Sequence, residues 1–447
     1  MQNGKTDTMN MCKINIKRKA GAARVLTRAF IAMGICGISL WLTGCTDETA
    51  QEPENMYNVY MAGGMEETPV VDYPVPQLLP NVLADRRGYS AGSAKKAFVT
   101  GRELPETFTL VDEGTGKAVY YGAVEDKTYN AELGLYVGYA DFTQVDQPGS
   151  YYVECDIIGQ SYRFDIKERL YPELFLESYG EMLKDCENGS LSVMGAIRLL
   201  EAYEWYGELF PDQNSNNIPD VLETLQGWVA HTEENGAGAG HEALYAAFLA
   251  KYGYNIKNYN FEYATECLKR AATVFGQVPE GARDAAVFYA LTELFRATGL
   301  NTYHNSILKY KSVFQDNRTY LDEGYLYGSM TYLMTRQQVD AALCEEMIYT
   351  VISKGEEISE QYQSLIAPAV PGDSARAELM KYVSNLSCAN YILNIYQYTS
   401  IIEECLHFLM GRNPESVNYY ENTGDRTAYL MWFAQLAAFY EDVMGER

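Results

Sequence analysis

Hydrophobic and polar positions fall into three regimes along the chain. Ala29 to Leu42 is one apolar run broken only by Ser39. From about Val75 to Lys167 apolar residues come in short alternating runs: Ala97–Thr100, Thr107–Val111, Ala118–Tyr121, Val137–Ala140, Tyr151–Cys155 and Tyr162–Ile166. A period of two marks strands with one buried face. Glu113-Gly114-Thr115-Gly116 and Gln147-Pro148-Gly149 supply turns between them. Strands at this spacing, with no helical stretch among them, predict a small β-sandwich over residues 75–168.

After Tyr171-Pro172 the period becomes helical and stays so to the end. Val193, Ile197, Leu200 and Tyr203 share a face. Ile392, Ile395, Thr399, Ile402, Leu406 and Leu409 alternate spacings of three and four, predicting one long amphipathic helix. Further helices are expected near 174–185, 219–231, 241–252, 260–275, 282–298, 322–334, 337–353, 374–384 and 427–443. About a dozen helices of similar length with short Gly, Pro and Asn loops predict stacked hairpins over 169–447, closed as a toroid or open as a solenoid.

The apolar run at 29–42 is too short to span a membrane comfortably. A basic segment without acids precedes it (Lys13, Lys17, Arg18, Lys19, Arg24, Arg28), and Leu42-Thr43-Gly44-Cys45 follows. Basic n-region, short h-region and small residues before the cut describe a secretory signal over 1–44. The Leu-Thr-Gly-Cys ending resembles a bacterial lipobox, in which Cys45 is acylated and becomes the new first residue. Residues 45–74 then read as an acidic flexible tether. Acids just after the lipidated Cys resemble the surface-export signal of Bacteroidetes lipoproteins, so the outer-membrane surface is expected, with the periplasmic leaflet as the alternative.

Composition adjusts this picture at three points. The 447 residues carry a net charge of −25. Loss of residues 1–44, with seven basic groups and one acid, leaves 28 basic and 59 acidic residues, net −31. So acidic a chain excludes nucleic acid as a partner, because phosphate contacts need clustered Lys and Arg. Six cysteines besides Cys45 remain in the mature chain (Cys155, Cys186, Cys267, Cys344, Cys388, Cys405), without a C-x-x-C pair, and read as buried free thiols. Tyrosine is abundant, at 38 against 16 Phe.

Several local patterns carry chemistry. In Asp212-Gln213-Asn214-Ser215-Asn216-Asn217-Ile218-Pro219-Asp220-Val221-Leu222-Glu223, oxygen side chains fall at EF-hand-like positions: Asp212, Asn214, Asn216, Asp220 and Glu223. This is either a calcium loop, with Asn217 in place of Gly, or an ordinary Asn-rich helix start; no other cofactor is expected. His231, His241, His304 and His407 lack partners at metal-ligand spacing. Tyr252 and Tyr254, Tyr325 and Tyr327, and Tyr419 and Tyr420 fall near expected connections. There they suit stacking on sugar rings, while tyrosines within helices suit helix–helix packing.

Longer motifs resemble a known enzyme family. Arg87-Gly88-Tyr89, Leu110-Val111-Asp112, Thr115-Gly116-Lys117-Ala118-Val119-Tyr120, Ala140-Asp141-Phe142 and Pro148-Gly149-Ser150-Tyr151-Tyr152-Val153 resemble the immunoglobulin-like N-terminal domain of cellulases. Leu199-Leu200-Glu201-Ala202-Tyr203-Glu204, Asn217-Ile218-Pro219-Asp220-Val221-Leu222-Glu223, Glu293-Leu294-Phe295-Arg296-Ala297-Thr298-Gly299 and Gly411-Arg412-Asn413-Pro414 resemble glycoside hydrolase family nine. The resemblance implies an (α/α)6 toroid of six-hairpin glycosidase type behind the sandwich. It also implies a plant-type or β-glucan polysaccharide or oligosaccharide as partner, with partner proteins of a surface glycan-uptake system.

The departures bear on activity. Inverting hydrolysis needs a base carboxylate to activate water and an acid carboxyl across the bond. The family's base motif, Gly-Gly-Trp-His-Asp-Ala-Gly-Asp, is replaced by Lys184-Asp185-Cys186-Glu187-Asn188-Gly189-Ser190, and the family's acid position falls on Thr427, beside Arg426. Thr is no general acid near neutral pH. The cleft stretch after the Pro219 helix is cut to Glu233–Gly240, and the Pro-His-His-Arg segment is missing. The expectation is a scaffold without the family's catalysis, acting as a glycan-binding or assembly module. The alternatives are an active inverting glycosidase using displaced carboxylates (Asp425, Glu421 or Glu187) and a protein-interaction platform without glycan affinity.

Overall fold

The computed structural model describes residues 80–131, 133–235, 240–315, 322–366, 373–422 and 426–445. The expected export segment, Cys45, the tether and Asp425 lie outside the described residues.

Nine strands come first: β1 Val82–Leu83, β2 Tyr89–Ser90, β3 Lys96–Gly101, β4 Thr107–Asp112, β5 Lys117–Asn130, β6 Leu135–Asp141, β7 Gly149–Cys155, β8 Gly159–Gln160 and β9 Phe164–Lys167. They run in the order β1-β3-β6-β5-β4-β7-β9-β2, with β8 beside β7. β5 is far longer than the expected Ala118–Tyr121 because it belongs to two sheets. Its first half pairs with β4 and its second half with β6. The register breaks between Glu125 and Thr128, where Asp126 has φ 51°. This bulge bends the strand from one layer into the other. Tyr89, Val99, Phe108, Leu110, Phe142, Val153 and Phe164 fill the space between the layers. The result is the expected immunoglobulin-like sandwich.

The helical part follows as α1 Leu170–Glu187, α2 Val193–Trp205, α3 Asp220–Asn235, α4 Glu242–Ile256, α5 Phe261–Phe275, α6 Ala285–Thr298, α7 Asn301–Ile307, α8 Glu323–Met334, α9 Ala341–Ile366, α10 Asp373–Leu393, α11 Thr399–Leu409, α12 Tyr419–Asn422 and α13 Thr427–Gly445. Helices α2, α4, α6, α8, α10 and α13 each neighbour the next, and α13 returns to α2. They form a closed inner ring, and α1, α3, α5, α7, α9 and α11 supply the outer layer. Of the two arrangements the hairpins allow, the toroid is realised. The inner helices bury residues almost all round, as in α2 and α8, whereas outer α5 buries only Ala264, Cys267 and Ala271. Ser192, Asp284 and Asp322 cap α2, α6 and α8 by accepting the N–H of Gly195, Val287 and Gly324, and Gly299, at φ 70°, ends α6.

The long helix expected over 392–409 is two helices. Asn394 takes φ 50° and breaks the ladder, and the Asn390 side chain accepts the N–H of Tyr398 at 2.9 Å to anchor the turn. Ile402, Leu406 and Leu409 are buried as the spacing requires, while Ile395 lies exposed in the connection. The six cysteines Cys155, Cys186, Cys267, Cys344, Cys388 and Cys405 are buried and in no disulfide.

The sandwich docks on α11 and the loop after it. Nδ1 of His407 meets Oδ2 of Asp85 at 2.6 Å, with both side chains fully buried, and the His407 ring lies 4.7 Å from that of Tyr89. Burial pushes the Asp85 carboxyl up from its ordinary value, against the pull of His407. Arg412, also buried, pairs with Glu404 at 2.6 Å and lies 4.9 Å from the Phe98 ring. Asn413 donates to the carbonyls of Phe408 and Val417. Arg87-Gly88-Tyr89 and Gly411-Arg412-Asn413-Pro414 are therefore the two halves of one interdomain contact.

Gly88 has φ 103°, and a Cβ there would stand 2.2 Å from the Asp165 carbonyl oxygen. Gly88→Ala should cost about 2–4 kcal/mol of unfolding free energy. Urea melts check this; an unchanged midpoint would contradict the close approach.

Candidate functional site

The N-termini of the inner helices gather at one mouth of the ring. There the α1–α2 connection is only 188–192. Gly189 turns it at φ 73°, with His231 packed so close that a Cβ would lie 2.0 Å from its Nε2. Trp228 Nε1 donates to the Leu191 carbonyl at 3.1 Å. Asp185 accepts the Ser190 hydroxyl at 3.0 Å, and Glu187 is exposed at the end of α1. Glu421 lies away at the domain boundary, taking an N–H of Arg87 at 2.9 Å. Arg426 pairs with Glu181 and donates to the Glu421 carbonyl. The structure does not bring Glu187 and Glu421 together, and the third expected carboxylate, Asp425, is not among the described residues.

Among the described residues at this mouth stands a nearly buried cation, Arg198. Its guanidinium pairs with Glu323 at 2.7 Å and donates to Thr427 Oγ1 at 2.8 Å, so one side chain ties α2 to α8 and α13. Tyr327 adds a long hydrogen bond to Glu323 at 3.4 Å. Arg198 is 8 % exposed. The expected acid position, Thr427, thus serves as a neutral acceptor for a buried cation.

Below this pair the axis is ionic. Lys251 on α4 reaches Glu201 at 3.0 Å, Glu204 at 2.5 Å and Glu293 at 3.3 Å. Arg296 on α6 reaches Glu204 at 2.8 Å and Glu293 at 2.5 Å. Tyr289 donates to Glu201 at 2.7 Å, Thr331 to Glu293 at 2.6 Å and Asn255 to Glu204 at 2.6 Å. Three carboxylates face two cations, so one negative charge is left over in a low-dielectric core. It falls on Glu201, whose Oε2 is buried without a hydrogen-bond partner. Burial pushes Glu201 up to about 7, although Lys251 opposes the rise. Burial acts on Glu204 too, but Arg296 and Lys251 outweigh it and hold that carboxyl down at about 2. No candidate residue was assigned to this cluster from the sequence. The signal that could have found it is a lone charge inside an apolar helical run, as in Phe248-Leu249-Ala250-Lys251-Tyr252.

The expected tyrosine platforms are mostly core. Tyr252 lies within α4, fully buried, and donates to the Leu222 carbonyl at 2.7 Å. Tyr325 and Tyr327 lie within α8 and are buried; Tyr325 packs on Phe288 and Phe314. Tyr420 is buried against Tyr429 and Phe433. Tyr252, Tyr325 and Tyr327 pack among helices because they lie inside α4 and α8 rather than in the connections beside them. Tyr254, half-buried, lies between Arg296 at 4.2 Å and Lys257 at 3.4 Å, and the half-buried Tyr419 donates to Glu415.

The 212–223 loop gathers all five oxygen residues at the start of α3. Asp212 accepts the N–H groups of Asn216 and Asn217, Asp220 that of Gln213, and Glu223 the side-chain amides of Asn214 and Asn216. Asn217 takes φ 67°, the conformation a Gly would supply. These side chains satisfy one another within the loop. Of the histidines, His304 bonds Tyr332 at 2.8 Å, His407 serves the domain contact, and His241 is exposed before α4. Among the described residues no group of three His, Cys, Asp or Glu is placed to hold a metal ion.

Comparison with known proteins places this geometry. Residues 79–160 match the family model of the cellulase N-terminal ig-like domain. A metagenome-derived glycoside hydrolase family 9 endoglucanase superposes with TM-score 0.63 at 15 % identity, over 76 % of this chain and 84 % of its own. The family 9 endoglucanase J30 does so with TM-score 0.60 at 18 % identity, over 74 % and 83 %. A Bacteroides ovatus family 9 protein gives 0.60 at 14 % identity, over 76 % and 86 %. No curated protein matches the chain. These likenesses show that the chain resembles family-nine glycoside hydrolases in fold, with the same sandwich and helical domain.

The axial charges predict a pH dependence. Glu201 has its folded value, about 7, above the ordinary 4.5. Its protonation therefore favours the folded state, and this stability is lost as pH rises from about 4.5 through 7. Wild type should fall relative to Glu201→Gln by about 3 kcal/mol between pH 4.5 and 8. Urea melts of both across that range test this, and parallel curves would contradict it.

Proposed function

We propose that the protein is a lipid-anchored polysaccharide-capture protein that keeps a glycosidase scaffold without its hydrolysis. The observation that carries this reading is Arg198, held by Glu323 and Thr427 where the resemblance puts the general acid. A buried cation paired at that point favours neither a protonated carboxyl nor an attacking water. The short 188–192 connection, covered by His231, supports the same reading, since cleft loops carry function while the helices carry the core. Among the described acids at the inner helix starts, Asp284 and Asp322 serve as caps and Glu242 accepts the N–H of Gly240 at 3.0 Å. The likeness to endoglucanases supports a β-glucan or related neutral polysaccharide as the ligand. The 212–223 loop is the place for calcium if the protein uses it.

Reducing-end assays on β-glucans and hemicelluloses should give no release above buffer, while affinity electrophoresis against the same panel should show retardation. Turnover abolished by Asp425→Asn would overturn the capture reading in favour of displaced carboxylates. No retardation on any polysaccharide would favour a protein-interaction platform.

Anchoring is proposed through Cys45 to the outer membrane, facing outward. In cell fractionation, Cys45→Ala should move the protein from the membrane to the soluble fraction. Retention of the variant in the membrane would contradict a lipid anchor.

A further inference from the structure

We propose that the ligand is held not at the mouth of the toroid but in a groove between the sandwich and α1, and that it is a short uncharged oligosaccharide. The inference rests on the capture reading and gives it a place.

The groove consists of two adjoining pockets. One, of about 620 Å³, is open and runs along the end of β9 from Pro148 and Ser150 to Arg169. The other, of about 260 Å³, continues from Leu170 and Glu177 to Arg86, Arg87 and Glu421. Asp165, Lys167 and Glu173 line both, so the two form one continuous surface. Its volume falls in the range of small-ligand sites, about 300–1,000 Å³.

The lining selects the ligand by chemistry. Four cations and five carboxylates border the two pockets, and the cations are already engaged. Lys167 pairs with Glu173 at 2.8 Å, Arg87 with Glu177 and with Glu421, and Arg169 with Glu441 at 3.2 Å. Arg86 donates to the Ser416 carbonyl and lies 5.0 Å from the centre of the Tyr162 ring. Asp165 accepts the Ser150 hydroxyl at 2.5 Å. An anionic ligand would have to break these pairs, and so would a cationic one. A hydroxyl need not: a guanidinium has five N–H donors and a carboxylate about four lone-pair sites, so each paired group keeps capacity to spare. The smaller pocket is mostly polar and the larger about half apolar; mutually neutralised donors and acceptors beside apolar surface suit a ligand that carries hydroxyl groups on a carbon ring.

The mouth offers no such capacity around Arg198, which is nearly buried and already carries three hydrogen bonds to Glu323 and Thr427. The groove is walled by the β9–α1 junction and by the Arg87 contact, both fixed by the domain docking, so it is preformed.

The test is isothermal titration of the full mature protein with cellohexaose, xylohexaose and mannohexaose. Two variants are compared with wild type: Lys167→Ala combined with Glu173→Ala, and Glu168→Trp, which places bulk at an exposed position of the larger pocket. The lining side chains changed are surface groups, so thermal melts should stay near wild type. The Kd for the best hexasaccharide should rise about tenfold or more in both variants, equivalent to about 1.4 kcal/mol. Wild-type affinity in both would overturn the groove while leaving glycan capture standing. No binding of any hexasaccharide to wild type would overturn both.

Discussion

A closed ring of helices has an axis, and something must fill it. In this protein the filling is ionic, and the helical domain is organised around that choice. Lys251, Arg296, Glu201, Glu204 and Glu293 join α2, α4 and α6, Thr331 brings in α8, and Arg198 extends the connections to α13. Buried ion pairs are weak contributors to net stability but strongly destabilising when one partner is lost, so they fix which helices face one another more than they hold the ring together. The surplus carboxylate is the cost of this arrangement, visible in the raised value of Glu201.

The same filling bears on chemistry. A glycosidase mouth needs carboxyl groups free to gain and lose protons across a gap wide enough for a sugar. Among the described residues at this mouth, Glu323 is neutralised by Arg198, Asp185 accepts from Ser190, Asp284 and Asp322 hold helix starts, and Glu242 accepts the N–H of Gly240. Two of the stretches that resemble the enzyme family lie elsewhere. Arg87-Gly88-Tyr89 and Gly411-Arg412-Asn413-Pro414 meet in the domain contact through Asp85, His407 and Arg412, and the groove beside that contact is a product of it. The domain contact and the mouth depend on different residues.

How much of this was legible in the sequence follows from which signals are local. Alternation along β3, β4 and β7 and the three-and-four spacing of the helices are local, and they led to a sandwich and a stack of hairpins. The doubling of β5 was not legible, because a strand that changes sheets at Asp126 looks like two segments separated by a charged turn. The break at Asn394 was missed because apolar spacing continued across it by coincidence. Tyr252, Tyr325 and Tyr327 fall inside the helices expected over 241–252 and 322–334, so the helical pattern, rather than nearness to a connection, is the signal that places them in the core. Arg198 and the axial ions are invisible as a group in the sequence, since they and their partners come from five helices that meet only when the ring closes. Each did leave a trace, a charge within an otherwise apolar run such as Leu291-Thr292-Glu293-Leu294-Phe295-Arg296.

The central claim is that the mouth is closed to sugar by Arg198 while the domain boundary is open to it. A crystal structure with a bound neutral hexasaccharide tests it most directly. The account predicts sugar density along Asp165, Lys167 and Glu173, with the Arg198–Glu323 pair intact. Density against Thr427, with Arg198 swung away from Glu323, would contradict it.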